Sequence, residues 1–247
     1  MRYMILPLLA GAAALPSIAL AAPDKVAELR DAALGDKLAY EITEGLTTEV
    51  GQRLAGTEAE ARAREWGAKK LKALGFSNVR IETFSMPVWV RGEEKAEIIS
   101  PFPQKLVLAA LGNSSATPPE GIEAEIVYFP TFAHLQAAPA GSLKGKIAFV
   151  SHAMKPAQDG SSYGTFGAAR RQGPDVAAKK GAAAIIIRSI GTDNHRVPHT
   201  GATDFSTGTT PIPAAALSIP DAENLERMIK RGAPVRMKLV LTPRMTG

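Results

Sequence analysis

The spacing of apolar residues predicts helices at the start of the chain. Between residues 24 and 44, apolar side chains recur at roughly helical intervals, which predicts one or two short helices with a weak point at Gly35. These positions are Leu29, Ala33, Leu38 and Ile42. Residues 45–56 are predicted to form a loop that leads into a third helix.

The clearest helical pattern covers residues 57–74. Thr57 is followed three residues later by Glu60, the arrangement of a capping box in which two N–H groups of the first turn are satisfied together. Gly75 is predicted to end this helix in a left-handed conformation, with Phe76 in contact with Leu71 of the last turn. One face of this helix is predicted to be a buried stripe, formed by Trp66, Leu71 and Leu74.

A strand pattern replaces the helical one from about residue 79. Residues 79–90 alternate well enough to predict a strand, with Pro87 marking an edge or an end. From residue 96 onward, short runs typical of strands are separated by proline and glycine. The predicted strands cover residues 96–100, 105–110, 123–129, 146–151, 183–188, 214–218 and 235–242. Helices are predicted at residues 174–180 and 221–231, the second with Asp221 as N-cap and Gly232 as C-cap.

These patterns together predict an α+β protein in two parts. Many short strands with few helices favour a compact β-sandwich or an open barrel for the second part. The polar residues 91–95 form the predicted boundary between the helical part and the β-rich part.

The first 21 residues differ from the rest of the chain. Arg2 precedes an almost wholly apolar run, residues 4–20, and Ala19-Leu20-Ala21 matches a small-x-small cleavage site. This is the pattern of a secretory signal peptide, so the mature chain is expected to be secreted or periplasmic. A transmembrane anchor is the alternative, but the run is short and Pro16 interrupts it. No other stretch is apolar enough to span a membrane.

Composition narrows the chemistry that the chain can use. It has no cysteine, so neither disulfides nor thiolate zinc ligands are available, and metal binding would need His, Asp or Glu. The net charge is +5, but basic and acidic residues are interleaved and no aromatic-basic ladder occurs. Nucleic acid is therefore not an expected partner.

Motifs of catalysis are missing from the sequence. There is no Gly-x-Ser-x-Gly turn and no thiol nucleophile. Residues 160–167 are glycine-rich but lack the Gly-Lys-Ser/Thr end of a phosphate loop, so a mobile surface loop is the expectation. Glu93 and Glu94 are adjacent, and on an extended chain they would point to opposite faces, so a solvated pair is expected rather than an acid-base pair. No catalytic residue and no metal ligand is predicted.

The histidines offer one candidate site. His195 and His199 are four residues apart, but Pro198 lies between them and no glutamate follows His195, so they do not form a His-Glu-x-x-His zinc helix. Two readings stay open: a turn with two solvent-facing histidines, or a substrate-side or interface loop. In the second reading, both histidines and the neighbouring Arg196 would offer hydrogen-bond donors to a peptide carboxylate.

Several blocks of the sequence together resemble one family. Residues 49–57, the capped helix and residues 74–76 are similar to the start of di-zinc aminopeptidase domains. Narrower matches resemble the carboxypeptidase Q-like family and its bacterial members. They are Trp89-Val-Arg-Gly-Glu-Glu94, residues 111–122, Ile187-Arg188-Ser189, Pro198-His-Thr-Gly201, and Ile212-Pro213 leading to Asp221-Ala222-Glu223.

The resemblance implies a layout for the chain. A signal peptide at residues 1–21 would precede the helical opening of an α/β zinc-exopeptidase domain at 22–95. An inserted β-rich protease-associated domain would span 96–236, and residues 237–247 would begin the return to the catalytic domain. In the family, the His, Asp and Glu ligands of two zinc ions follow the insert, so none can be assigned to a residue of this chain.

The resemblance also implies a function. The chain is expected to be the N-terminal part of an exported zinc-dependent amino- or carboxypeptidase that acts on dipeptides or short peptides, with a homodimer possible. By itself the chain is expected to be inactive and to bind no zinc. The alternative is a freestanding, non-enzymatic protease-associated module. Within the complete enzyme, the loop with His195 and His199 would face the catalytic domain and help to close the substrate cleft.

Overall fold

The computed structural model of this chain describes residues 24–246. The predicted signal peptide lies outside these residues. The chain divides into two compact units between Glu82 and Thr83, a few residues before the boundary predicted from the sequence. None of the helices within residues 24–246 combines the length and the apolar character that a membrane crossing requires.

The first unit is helical. Helix α1 (Lys25–Gly35) begins at Asp24, whose carboxylate accepts the N–H groups of Val26 and Ala27. Helix α2 (Leu38–Gly45) follows, so of the one or two short helices predicted here, two form. The predicted loop is wrong at its start, because α2 continues into a π-helical turn, Leu46–Val50.

Helix α3 (Glu58–Ala73) has the predicted ends but not the predicted stripe. Thr57 Oγ1 accepts the N–H of Glu60 at 3.3 Å, whereas the Glu60 carboxylate pairs with Arg64, so only half of the capping box forms. Gly75 is left-handed with φ 87°, as expected. No residue of α3 is buried, and Leu71 remains 42% exposed. The prediction of a buried stripe is therefore wrong, because residues 24–82 contain no sheet for this helix to cover.

The second unit begins with a strand much shorter than predicted. Only β1 (Val88–Val90) forms, and it pairs antiparallel with β10 (Arg244–Thr246). Residues 79–87 are not a strand; Pro87, which lacks an N–H group, comes directly before β1.

All seven predicted β-runs after residue 96 form strands. Their bounds are β2 (Glu94–Ser100), β3 (Gln104–Leu106), β4 (Leu108–Ala110), β5 (Ile122–Phe129), β6 (Ile147–Val150), β7 (Ala184–Arg188), β8 (Ala214–Leu217) and β9 (Arg236–Leu241). One predicted run, 105–110, is divided into β3 and β4 at Val107.

The strand order shows that the sheet curls onto itself. The order is β3-β2-β9-β5-β6-β7-β8-β4, with β5 to β8 parallel and the other pairs antiparallel. Strands β3 and β4 lie at opposite ends of this order although only Val107 separates them in the chain. One segment therefore pairs with both edges, which makes the sheet a barrel rather than a sandwich.

The helices of the second unit connect or follow the parallel strands. They are α4 (Phe132–Ala137), α5 (Tyr163–Lys179) and α6 (Ile219–Ile229). Helix α4 was not predicted, and α5 is longer than predicted because it includes the end of the glycine-rich segment expected to be a loop. The N-cap of α6 is Ser218, whose Oγ accepts the N–H of Asp221, so the assignment of Asp221 as the cap is wrong. Gly232 has φ 86°, consistent with its predicted place at the helix end.

Both faces of the parallel strands are buried. Along β7, Ala184 and Ile186 belong to a cluster shared with α6, whereas Ile185 and Ile187 belong to a second cluster shared with α4 and α5. The two-residue side-chain period of a strand explains this division. It also explains why β7 is a continuous apolar run instead of an alternating one.

Asp175 fastens the long β7–β8 connection to α5. Its carboxylate accepts the Lys179 ammonium at 2.8 Å and both the N–H and the hydroxyl of Ser206, at 3.0 and 2.8 Å. Burial alone would raise the pKa of Asp175, but the hydrogen bonds from Lys179, Ser206 and Thr209 outweigh it and hold that pKa well below its usual range.

Candidate functional site

The carboxyl ends of the parallel strands gather several polar residues at one edge of the sheet. Ser151 and His152 follow β6, Arg188 ends β7 with Ser189 next, and Ser218 follows β8. Parallel strands end at the same edge, which is where α/β sheets commonly bind ligands. The loop with both candidate histidines leaves from β7, so it begins at this edge.

His199 is fixed at two points. Its backbone N–H donates to Ser189 Oγ at 2.9 Å, which joins two of the blocks on which the family resemblance rests. Its Nε2 lies 2.6 Å from the hydroxyl of Tyr163, the first residue of α5, and the two rings meet edge to face. The side chain itself is exposed.

Arg170 completes this cluster. It lies two turns after Tyr163 on α5, so the two side chains share one helix face. Arg170 Nη1 donates to the Tyr163 hydroxyl at 2.8 Å and to the Thr200 carbonyl at 3.3 Å, and its guanidinium lies 5.6 Å from the Tyr163 ring centre. A Cβ atom on Gly201 would lie 2.8 Å from Arg170 Nε, so this close approach requires glycine.

His195 lies in the same loop but outside this cluster. Its side chain is 59% exposed, and its Nε2 is 3.4 Å from the Asp193 carboxylate. Its Nδ1 accepts the N–H of Val197. The structure therefore brings His199, but not His195, together with other chemically active side chains, and the substrate-side role of both stays a prediction.

Asp221 holds the middle of the loop. A single oxygen, Oδ2, accepts the N–H of Val107 at 2.8 Å, the Ser218 hydroxyl at 2.9 Å and Arg196 Nη2 at 3.0 Å. Asp221 is buried, whereas the Arg196 side chain is 55% exposed. The carboxylate thus ties the loop to α6 and to the point where β3 becomes β4.

One further family-like block, residues 89–94, meets the same loop. Arg91 donates to the Ala110 carbonyl at 2.6 Å and approaches Thr200 Oγ1 at 3.4 Å. The Glu94 carboxylate accepts hydrogen bonds from the Arg91 guanidinium and from the N–H of Ala110. Glu93 instead pairs with Lys95 at the surface. The two glutamates diverge as expected, but only Glu93 is a solvated residue, since Glu94 is half-buried and bonded to the barrel.

Sequence reasoning missed Tyr163 and Arg170, and it gave His152 no role. The seven-residue spacing of Tyr163 and Arg170 was a usable signal, but the helix that contains both was predicted to start after them. The His152 ring packs at a tilt against Phe166, with ring centres 4.3 Å apart, and burial lowers the pKa of His152. Within residues 24–246, no group of three His, Cys, Asp or Glu side chains could hold a metal ion.

Comparisons with known proteins place this geometry in context. No family model matches the chain. Carboxypeptidase Q from Bos taurus is 36% identical over 200 residues, which cover 81% of this chain and 41% of that protein. Carboxypeptidase Q from Homo sapiens is 34% identical with the same coverage. The chain thus spans about two fifths of the length of these relatives.

Solved structures agree with the sequence comparison. The crystal structure of a peptidase M28 precursor from Shewanella amazonensis is 49% identical, with a TM-score of 0.86, over 90% of this chain and 51% of that one. BSAP, a zinc aminopeptidase from Bacillus subtilis, is 21% identical with a TM-score of 0.52 over 85% of this chain and 45% of its own, which supports the fold alone.

Proposed function

The chain belongs to the carboxypeptidase Q-like family of M28 peptidases, and we propose that the protein it represents is a zinc-dependent exopeptidase. The proposed substrates are dipeptides or short peptides, cleaved near a free terminus. The observation that carries the proposal is the 36% identity over 200 residues. Contacts between separate family-like blocks support the proposal. Arg91 approaches Thr200, and Ser189 accepts a hydrogen bond from the loop that contains Thr200.

Zinc does not fit the residues of this chain. A hydrolytic site with two ions needs several converging His and carboxylate ligands and a base for the bridging water. No group of three potential ligands exists among the residues that the structure describes. We propose that the ligands lie in parts of the protein beyond the 41% that this chain shares with its relatives, and that this chain alone is inactive.

Within the complete enzyme, the β-rich unit would act as a protease-associated domain over the catalytic domain. The loop with His195 and His199 would help to close the substrate cleft. His199 suits this role better than His195, because it is held by Tyr163 and Ser189 while its ring stays exposed. A fixed donor loses less conformational entropy when it binds a ligand than a mobile one.

Export and assembly complete the proposal. A signal peptide at residues 1–21 would direct the protein to the periplasm or the outside of the cell. A homodimer is the proposed assembly, as implied by the resemblance. Neither membrane nor nucleic acid is a proposed partner of the mature protein.

The experiment that tests this function compares two purified proteins. One is this 247-residue chain, and the other is the product of the complete reading frame in which it occurs. We expect the longer product to contain about two zinc ions per chain and to hydrolyse dipeptides, and the shorter one to do neither. Zinc in stoichiometric amount or dipeptide hydrolysis with this chain contradicts the assignment of the metal site. A complete frame with no hydrolytic activity contradicts the exopeptidase and favours a binding module.

A further inference from the structure

Arg170 is a partly buried cation whose charge is not neutralised. Its two hydrogen-bond acceptors, the Tyr163 hydroxyl and the Thr200 carbonyl, carry no charge. No carboxylate from residues 24–246 forms an ion pair with it. Arg188, at the end of β7, shows the contrast, because it pairs with both Glu223 and Glu226. A desolvated charge without a counterion is costly, which suggests that an anion completes this site.

Tyr163 joins Arg170 and His199 through a single oxygen atom. Arginine can only donate, so the Tyr163 oxygen accepts from Arg170. The same hydroxyl has a proton and a second lone pair, so it can either donate to His199 Nε2 or accept from it. In both arrangements His199 Nε2 is engaged by Tyr163. No residue that the structure describes bonds to His199 Nδ1, and the ring is exposed.

We propose that His199, through its free Nδ1, and Arg170, through Nη2, together bind the C-terminal carboxylate of a peptide. This inference rests on the proposed exopeptidase function and names the group of the substrate that the loop recognises. Arg170 Nη2 makes no hydrogen bond within residues 24–246, and unlike Nε it is not enclosed. Both side chains contact the same tyrosine oxygen, so they lie side by side.

The surroundings favour an anion with two oxygen atoms. The acidic side chains of this region are already engaged: Asp193 by His195, Glu94 by Arg91, and Asp221 by Arg196. None of them neutralises Arg170. A carboxylate offers two coplanar acceptors to two adjacent N–H donors, and hydrogen bonds to ionised groups are the strong ones. An uncharged C-terminal amide could accept one of these bonds but would leave the charge of Arg170 uncompensated.

The test is a titration of the full 247-residue chain, labelled with nitrogen-15 in its histidine rings. The probes are alanylalanine, alanylalanine amide and the α-amide of N-acetylglutamate, whose only carboxylate is on its side chain. The buffer is free of carboxylates. We expect alanylalanine to shift the His199 ring signals saturably. The amide should leave them in place, and the side-chain carboxylate should bind at least about tenfold more weakly, about 1.4 kcal/mol.

Matched arginine variants identify the site. Arg170→Met should raise the dissociation constant of alanylalanine at least about tenfold. Arg171→Met should leave it unchanged, because Arg171 bonds only to the Gly164 carbonyl through its side chain. Tyr163→Phe removes the oxygen atom that contacts both side chains, so it should also weaken the binding of alanylalanine, and it carries the test if Arg170→Met does not fold. Unchanged ring signals of His134, which lies on α4, report an intact fold.

Three results overturn the inference. They are no shift with alanylalanine, an equal shift with the amide, and binding of the side-chain carboxylate as tight as that of the dipeptide. The titration is independent of hydrolysis. If the complete protein is inactive but this chain still binds alanylalanine, only the peptidase proposal is contradicted. If the complete protein is active but this chain does not bind alanylalanine, only the carboxylate site is contradicted.

Discussion

Substitution of Asp221 should destabilise the barrel by an amount that its hydrogen bonds define. In Asp221→Ala, the Val107 N–H and the Ser218 hydroxyl lose their charged acceptor, and Arg196 loses its partner. A hydrogen bond to a charged group contributes about 1.5–3 kcal/mol. The Arg196 pair adds less than about 1 kcal/mol because Arg196 is largely exposed. Allowing for water at the vacated position, we expect the free energy of unfolding to fall by about 3 kcal/mol.

Urea unfolding followed by tryptophan fluorescence measures this loss. The chain has two tryptophans, and a Trp66→Phe background leaves Trp89, whose Nε1 donates to the Ser114 carbonyl in the second unit, as the reporter. Asp193→Ala is the matched control, because Asp193 is more exposed and its carboxylate pairs with His195, itself an exposed residue. Its effect should stay within about 0.5 kcal/mol. If Asp221→Ala lowers the free energy of unfolding no more than Asp193→Ala does, then the hydrogen bonds of Asp221 do not stabilise the barrel and the prediction is wrong.

Three further predictions follow from other contacts. Asp175→Asn should lower stability by about 1–2 kcal/mol at pH 7. Because the folded-state pKa of Asp175 is depressed, this difference should shrink as the pH falls from about 4 towards 2, and a difference independent of pH in urea titrations would contradict it. Gly201→Ala should lower the melting temperature, because its Cβ would lie 2.8 Å from Arg170 Nε; Gly164→Ala, with open space around it, should not. Amides of α3 should exchange with deuterium much faster than those of β6, because no residue of α3 is buried, and equal protection would refute this.

Local signals made most of the fold predictable. Short strand-like runs separated by proline and glycine marked all seven β-segments. Strands β6, β7 and β8 are almost wholly apolar because both of their faces are buried. Barrel closure could not be read from these runs. It depends on Val107, where one segment changes from the partner β2 to the partner β8, and a segment of six residues carries no sign of two partners.

Tertiary contacts decided the remaining elements. The glycines of residues 160–167 favour a loop locally, but Gly167, Ala169 and Ala177 of α5 are buried in the core of the second unit. The helix therefore extends further than its propensity indicates. The cluster escaped prediction for the same reason, because Tyr163 and His199 are 36 residues apart and meet only through the β7–β8 connection. The substrate-side role of His195 and His199 stays a prediction.

Steady-state kinetics of the complete enzyme, with and without His199, test the account most directly. If this loop contacts the substrate of a zinc exopeptidase, His199→Ala should lower kcat/KM for a dipeptide about tenfold to a hundredfold, corresponding to about 1–3 kcal/mol. His134→Ala, on α4 and bonded to Thr131, should leave kcat/KM unchanged. Unchanged kcat/KM in both His195→Ala and His199→Ala would contradict a substrate-side role for this loop.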